Sequence, residues 1–108
     1  MFRTEESGNV TIVIVSELDA RNAEQAKTAF GEFVDSGALD LVIDLSALDF
    51  IDSAGLGALL TVLNAVGAAG GRLVLCGLSK RVRSIFELTR LHRVFGIFDS
   101  REEAVGSL

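Results

Sequence analysis

Asp44-Leu45-Ser46-Ala47-Leu48-Asp49-Phe50-Ile51-Asp52-Ser53-Ala54-Gly55-Leu56-Gly57 is the stretch on which the fold turns. Just before it, Leu41-Val42-Ile43 is a continuous apolar run between Asp40 and Asp44, the pattern of a strand covered on both faces and set inside a sheet. Just after it begins, Leu56, Leu59, Leu60, Leu63 and Val66 recur at helical spacing and lay an apolar stripe that ends at Gly70-Gly71. A buried strand, a short loop and a helix make half of a crossover. Strands joined in this way run parallel and are connected right-handed.

The same alternation extends in both directions. Upstream, Val10 to Val15 is rich in β-branched residues and reads as a strand, paired with an N-terminal strand near Phe2 to Glu5. Asp19 and Asn22 offer capping side chains before Ala23, Ala26, Phe30, Phe33 and Val34, the inward stripe of a helix closed by Gly37. Downstream, Leu73 to Cys76 reads as a buried strand. Ser79 caps a third helix that turns Val82, Ile85, Phe86 and Thr89 inward and leaves Lys80, Arg81, Arg83 and Arg90 to solvent. A last strand near Val94 to Phe98 precedes Ser100-Arg101-Glu102-Glu103, a capping box for a short terminal helix. The order β-β-α-β-α-β-α-β-α predicts an α/β fold, a mixed and largely parallel sheet with packed helices, as a single domain over residues 1–108. Open sheets of this kind bind partners beyond the carboxyl ends of their strands.

Composition narrows the function. A formal charge of −5 argues against general nucleic-acid binding, which needs a basic surface. The charge is uneven: the acidic side chains concentrate before Gly55 and the basic ones after it, giving either a face that attracts a basic partner or one that is merely solvated. The single cysteine, Cys76, allows no intramolecular disulfide and no cysteine metal cluster, and reads as a small core residue. Met1 to Glu6 lacks the apolar stretch of a signal peptide, which makes the cytoplasm the expected compartment. A membrane span is not expected either, because the uncharged run from Ser53 to Gly71 holds five glycines with Thr61 and Asn64.

No catalytic or cofactor pattern accounts for the central segment. Ile51 stands where a nucleophile elbow needs glycine two before the serine, and Leu60 stands where a dinucleotide fingerprint needs its third glycine. His92 lies among Arg90 and Arg93 at a helix end, where a solvated or partly packed imidazole is expected. Asp44, Asp49 and Asp52 lack a fourth oxygen donor in register and read as loop and cap carboxylates rather than a cation site. The expected chain is therefore neither an enzyme nor the holder of a metal or cofactor.

Ser53 is the residue that stands out. It sits where a helix N-cap belongs, so its hydroxyl can accept a backbone N–H near the surface. Gly55 and Gly57 follow in the first turn, where each costs about 1 kcal/mol relative to alanine. Two explanations fit: close packing of the helix backbone, or a surface left open so that a large partner reaches Ser53. The uncharged helix that follows is likewise either an apolar interface or an element buried on most sides.

At this segment the chain resembles the STAS domain family, and within it the bacterial anti-sigma-factor antagonists. The resemblance runs from about Glu17 to Val105 and is anchored on Glu17-Leu18-Asp19, Val42-Ile43-Asp44-Leu45, Phe50-Ile51-Asp52-Ser53-Ala54-Gly55-Leu56-Gly57 and Gly70-Gly71-Arg72-Leu73-Val74-Leu75-Cys76. It implies that Ser53 is a phosphorylation site. Asp19, Asn22, Asp52, Ser53, Ala54, Gly55, Leu56 and Gly57 would form or flank the surface for an anti-sigma factor that is also a serine kinase, and a separate serine phosphatase would reverse the mark. A constitutive adaptor in a lipid-transport or signalling complex is the alternative that the family suggests. The chain departs from the family pattern at Ser16 and Arg90, where glycine is frequent.

Overall fold

A computed structural model describes residues 2–108. Phe2–Ser7 (β1) and Val10–Val15 (β2) form an antiparallel hairpin, with β1 running two residues beyond the expected strand to a turn at Gly8, where φ is +62°. Three parallel strands follow, Asp40–Asp44 (β3), Arg72–Cys76 (β4) and Gly96–Phe98 (β5), so that the sheet runs β1-β2-β3-β4-β5 with β3 at its centre. That is the mixed, largely parallel sheet the alternation predicts.

Helices Ala23–Asp35 (α1), Ser53–Ala68 (α2) and Lys80–Leu88 (α3) share one core with the sheet residues Val13, Val15, Leu41, Ile43, Leu73 and Leu75. On the opposite face Val10, Ile12, Ile14, Val42 and Cys76 meet Ala104 of the short helix Arg101–Gly106 (α4). Leu41, Val42 and Ile43 are fully buried because period-two alternation sends them to two separately covered faces. Ser100 caps α4 by accepting from the Glu103 N–H at 3.1 Å, and Ser79 caps α3 by accepting from Val82.

Beneath α4 lies one charged cluster. Asp44 is 5% exposed; its Oδ1 accepts from the Ser46 N–H, and its Oδ2 accepts from Arg101 Nε and Nη2 at 3.2 and 3.0 Å. Burial pushes the Asp44 carboxyl up, but hydrogen bonds from Ser46 and the Arg101 guanidinium outweigh it and hold the group below the ordinary value. Cys76 is a buried core thiol as expected, pushed up to about 11 by burial and by the Asp44 charge.

Some local expectations fail. Asn22 occupies the N-cap position of α1, yet its side chain caps nothing. Thr89 is exposed rather than inward, because α3 ends at Leu88 and the Thr89 hydroxyl turns back to donate to the Ile85 carbonyl. The last strand is only Gly96–Phe98, because a short 3-10 turn at Leu91–Arg93 leaves Val94 half exposed. That turn is entered through Arg90 with φ at 63°, a left-handed conformation that glycine would adopt without strain.

Candidate functional site

The carboxyl ends of β2 and β3 lead into two loops, and these loops meet. Asp52 makes the junction. Its Oδ1 accepts from the Gly55 N–H at 2.9 Å and caps α2, while its Oδ2 accepts from the Ala20 N–H at 2.8 Å in the loop after β2. The N-cap is therefore Asp52, not Ser53, which is the first residue of the helix. Ser53 is displaced from capping because the aspartate before it already takes the donor, and a carboxylate at that position also suits the positive end of the helix. The Ser53 side chain is exposed, and no group among the described residues takes up its hydroxyl.

The two glycines of the first turn separate in role. A Cβ on Gly55 would stand 2.7 Å from the Leu18 carbonyl oxygen and 2.8 Å from Ile51 Cγ1, so glycine there lets α2 lie directly against the loop after β2. A Cβ on Gly57 would meet nothing within 4 Å. Close packing explains Gly55, whereas nothing in the fold requires glycine at position 57. Along the rest of α2, Leu56, Leu59, Val62 and Val66 are buried, and the outer side carries small or polar residues, among them Thr61, Asn64 and Ala68. The helix thus buries one side against the core, and what the other side shows to solvent is uncharged.

The loop after β2 is internally braced. Asn22 is 7% exposed, and its Oδ1 accepts from the Asp19 N–H at 2.9 Å, which explains why it does not cap α1. Asp19 in turn accepts from the Arg21 N–H and Nε through Oδ1, and from Arg21 Nη2 through Oδ2 at 2.8 Å. The hydrogen bond from the Arg21 side chain, with that from its backbone, holds the Asp19 carboxyl below its ordinary value. Between the loops runs a shallow groove of about 290 Å³ lined by Glu17, Asp19, Arg21, Leu48, Asp49 and Phe50, among others.

The structure therefore brings Asp19, Asn22, Asp52, Ser53, Ala54, Gly55, Leu56 and Gly57 to one end of the sheet, with Asn22, Gly55 and Leu56 buried beneath the others. Asp44 does not join them, since it pairs with Arg101. Phe50 does, and sequence reasoning gave it no role. It is 51% exposed while Leu48 and Ile51 are buried, and a ring so placed at a loop crest is a marker of contact surfaces. The signal was available: in Leu48-Asp49-Phe50-Ile51, adjacent apolar residues in an extended loop cannot both face the core. Among the described residues no group of His, Cys, Asp and Glu is arranged to hold a metal ion, and no helix is long and apolar enough to cross a membrane.

The family model for the STAS domain matches residues 1–104. BtrV of Bordetella bronchiseptica, provisionally named an anti-sigma factor antagonist, is 38% identical over 90 residues, covering 83% of this chain and 78% of that protein. The anti-sigma-B factor antagonist of Listeria monocytogenes is 29% identical over 98% of this chain and 93% of its own length. Among solved structures, a Thermotoga maritima protein, also provisionally named an anti-sigma factor antagonist, superposes with a TM-score of 0.92 at 30% identity, covering 98% of this chain and 92% of that one.

Proposed function

This chain belongs to the STAS domain family, and we propose that it is an anti-sigma-factor antagonist whose hold on its partner is released by phosphorylation of Ser53. The observation that carries this function is the placement of one exposed, unengaged serine hydroxyl at the rigid junction of two loops. The names of the relatives support the same role.

The partner is an anti-sigma factor that is also a serine kinase. Unphosphorylated, the chain occupies the anti-sigma factor and frees the sigma factor. Transfer follows when Ser53 Oγ attacks the γ-phosphorus of ATP held by the kinase. The new O–P bond forms as the bond to the bridging oxygen breaks, ADP leaves, and the hydroxyl proton passes to a base on the kinase. A serine phosphatase reverses the mark with water. Kinase, ATP and sigma factor meet in the cytoplasm, where this exchange is placed.

Asp19, Asp52, Ser53, Ala54 and Gly57 offer the contact surface. Asn22, Gly55 and Leu56, being buried, serve by holding its shape. A phosphate adds about −1.5 to −2 charges beside Asp52, with Asp19 and Asp49 close in the chain or groove, and such a patch resists the desolvation that binding requires. The helix N-terminus tolerates the new anion, so the partner leaves without unfolding of the domain.

Incubation with the cognate anti-sigma kinase and ATP, followed by intact-mass measurement, tests the assignment. One phosphate is expected on the wild-type chain and none on Ser53→Ala. Stable binding without transfer would point instead to a constitutive adaptor.

A further inference from the structure

We infer that Arg21 is the cation that receives the phosphoryl group on Ser53, leaving Asp19 to do so; the inference rests on Ser53 being the modified residue. The Ala20 N–H donates to Asp52 Oδ2 at 2.8 Å, so Arg21 and Ser53 are each one residue removed from the same hydrogen bond. The Arg21 side chain is 82% exposed, and Asp19, on its own loop, is its carboxylate partner. Asp52 accepts one hydrogen bond on each oxygen, from Gly55 and Ala20, and makes none to Arg21, on whose guanidinium it acts only through its charge.

Of the other basic side chains before Gly55, Arg3 lies on the edge strand β1 and Lys27 pairs with Glu24 on α1. The charged groups acting on the Arg21 guanidinium are Asp19, Glu17 and Asp52, all acidic, and Asp49 lines the same groove. A phosphate arriving there would otherwise meet the charges of Glu17, Asp19, Asp49 and Asp52. An exposed ion pair such as Arg21–Asp19 contributes little, whereas a phosphate offers three acceptor oxygens and up to twice the charge. Exchange of partners is therefore downhill. It also uncovers the Asp19 carboxylate and loosens the brace of the loop, so phosphorylation alters the contact surface on both sides of the junction.

The test uses phosphoserine installed genetically at position 53, which removes any dependence on a kinase. The second ionisation of the phosphate, near pH 6, is followed by phosphorus NMR in this protein and in its Arg21→Gln and Arg21→Lys variants. The expected midpoint is lower with Arg21 than with Gln by roughly 0.5 pH unit, with Lys between them, and the difference shrinks in high salt. Arg21→Gln in the unphosphorylated chain is expected to leave the melting temperature nearly unchanged, which separates phosphate binding from a folding defect. Equal midpoints in the three proteins would overturn the inference. Failure of the kinase to modify Ser53 would overturn the proposed function instead, and the titration would still report on Arg21.

Discussion

Asp52 joins Ala20: one carboxylate oxygen takes the Ala20 N–H at 2.8 Å while the other caps α2 through Gly55, so a single side chain fixes both the start of the helix and the loop beside it. Ser53 is presented by that joint. Asp52→Ala removes both hydrogen bonds and is expected to lower stability by about 1 to 3 kcal/mol. Asp52→Asn keeps one acceptor oxygen, enough for one of the two hydrogen bonds, and loses less than alanine does. Urea midpoints measured on the three proteins check the ranking, and equal midpoints for Ala and wild type would show that the joint contributes nothing.

The two glycines of the first turn should respond in opposite directions. Gly55→Ala forces a methyl group against the Leu18 carbonyl and Ile51, and is expected to destabilise by about 1 to 3 kcal/mol. Gly57→Ala enters open space on a helix and should stabilise by up to about 1 kcal/mol. If Gly57 keeps the surface open for a partner, the same methyl group weakens binding of the anti-sigma factor. Thermal melts with a binding assay separate the two effects, and a Gly57→Ala protein that is more stable and binds as well as wild type would deny Gly57 that role.

Acid should act through Asp44. Its folded-state value lies below the unfolded one, so its contribution is complete above the ordinary carboxylate range near pH 4 and is lost as pH falls through the folded value. Arg101→Met leaves a buried carboxylate with only Ser46 and is expected to cost about 2 kcal/mol at pH 7, less than for a fully buried pair because Arg101 is partly exposed. The gap between the two proteins should narrow as pH falls below the ordinary carboxylate range and close once Asp44 is protonated in both folded proteins. Denaturant titrations across that range read the difference directly, and a gap independent of pH would assign the loss to packing alone.

Arg90 holds a left-handed conformation that costs an L-residue roughly 1 to 2 kcal/mol. Arg90→Gly relieves it and gives back part through a freer unfolded chain, for a net gain of up to about 1 kcal/mol. A raised melting temperature is the expected result. A lowered one would mean that the guanidinium makes a contact worth more than the strain.

The order of strands and helices was legible in periodicity, because Leu41-Val42-Ile43 and the stripes of the first three helices each follow from which side must be buried. Legibility failed where a residue's partner lies far off in sequence. Asp52 takes the cap from Ser53 while reaching Ala20, 32 residues away, and Asp44 meets Arg101 57 residues on. Neither pairing leaves a local pattern. Asn22 looks like a cap because Asn commonly is one, yet its buried side chain turns back to Asp19. Gly55 and Gly57 look alike in sequence, and only the approach of Leu18 separates them.

Phosphate on Ser53 is expected to release the partner. The most direct measurement is the affinity of the anti-sigma kinase for the unmodified chain and for the chain carrying phosphoserine at position 53, taken by calorimetry at one ionic strength. A loss of roughly 100-fold or more is expected, since like charges forced together at an interface cost several kcal/mol. Equal affinities would contradict the switch and leave the chain a constitutive binding partner.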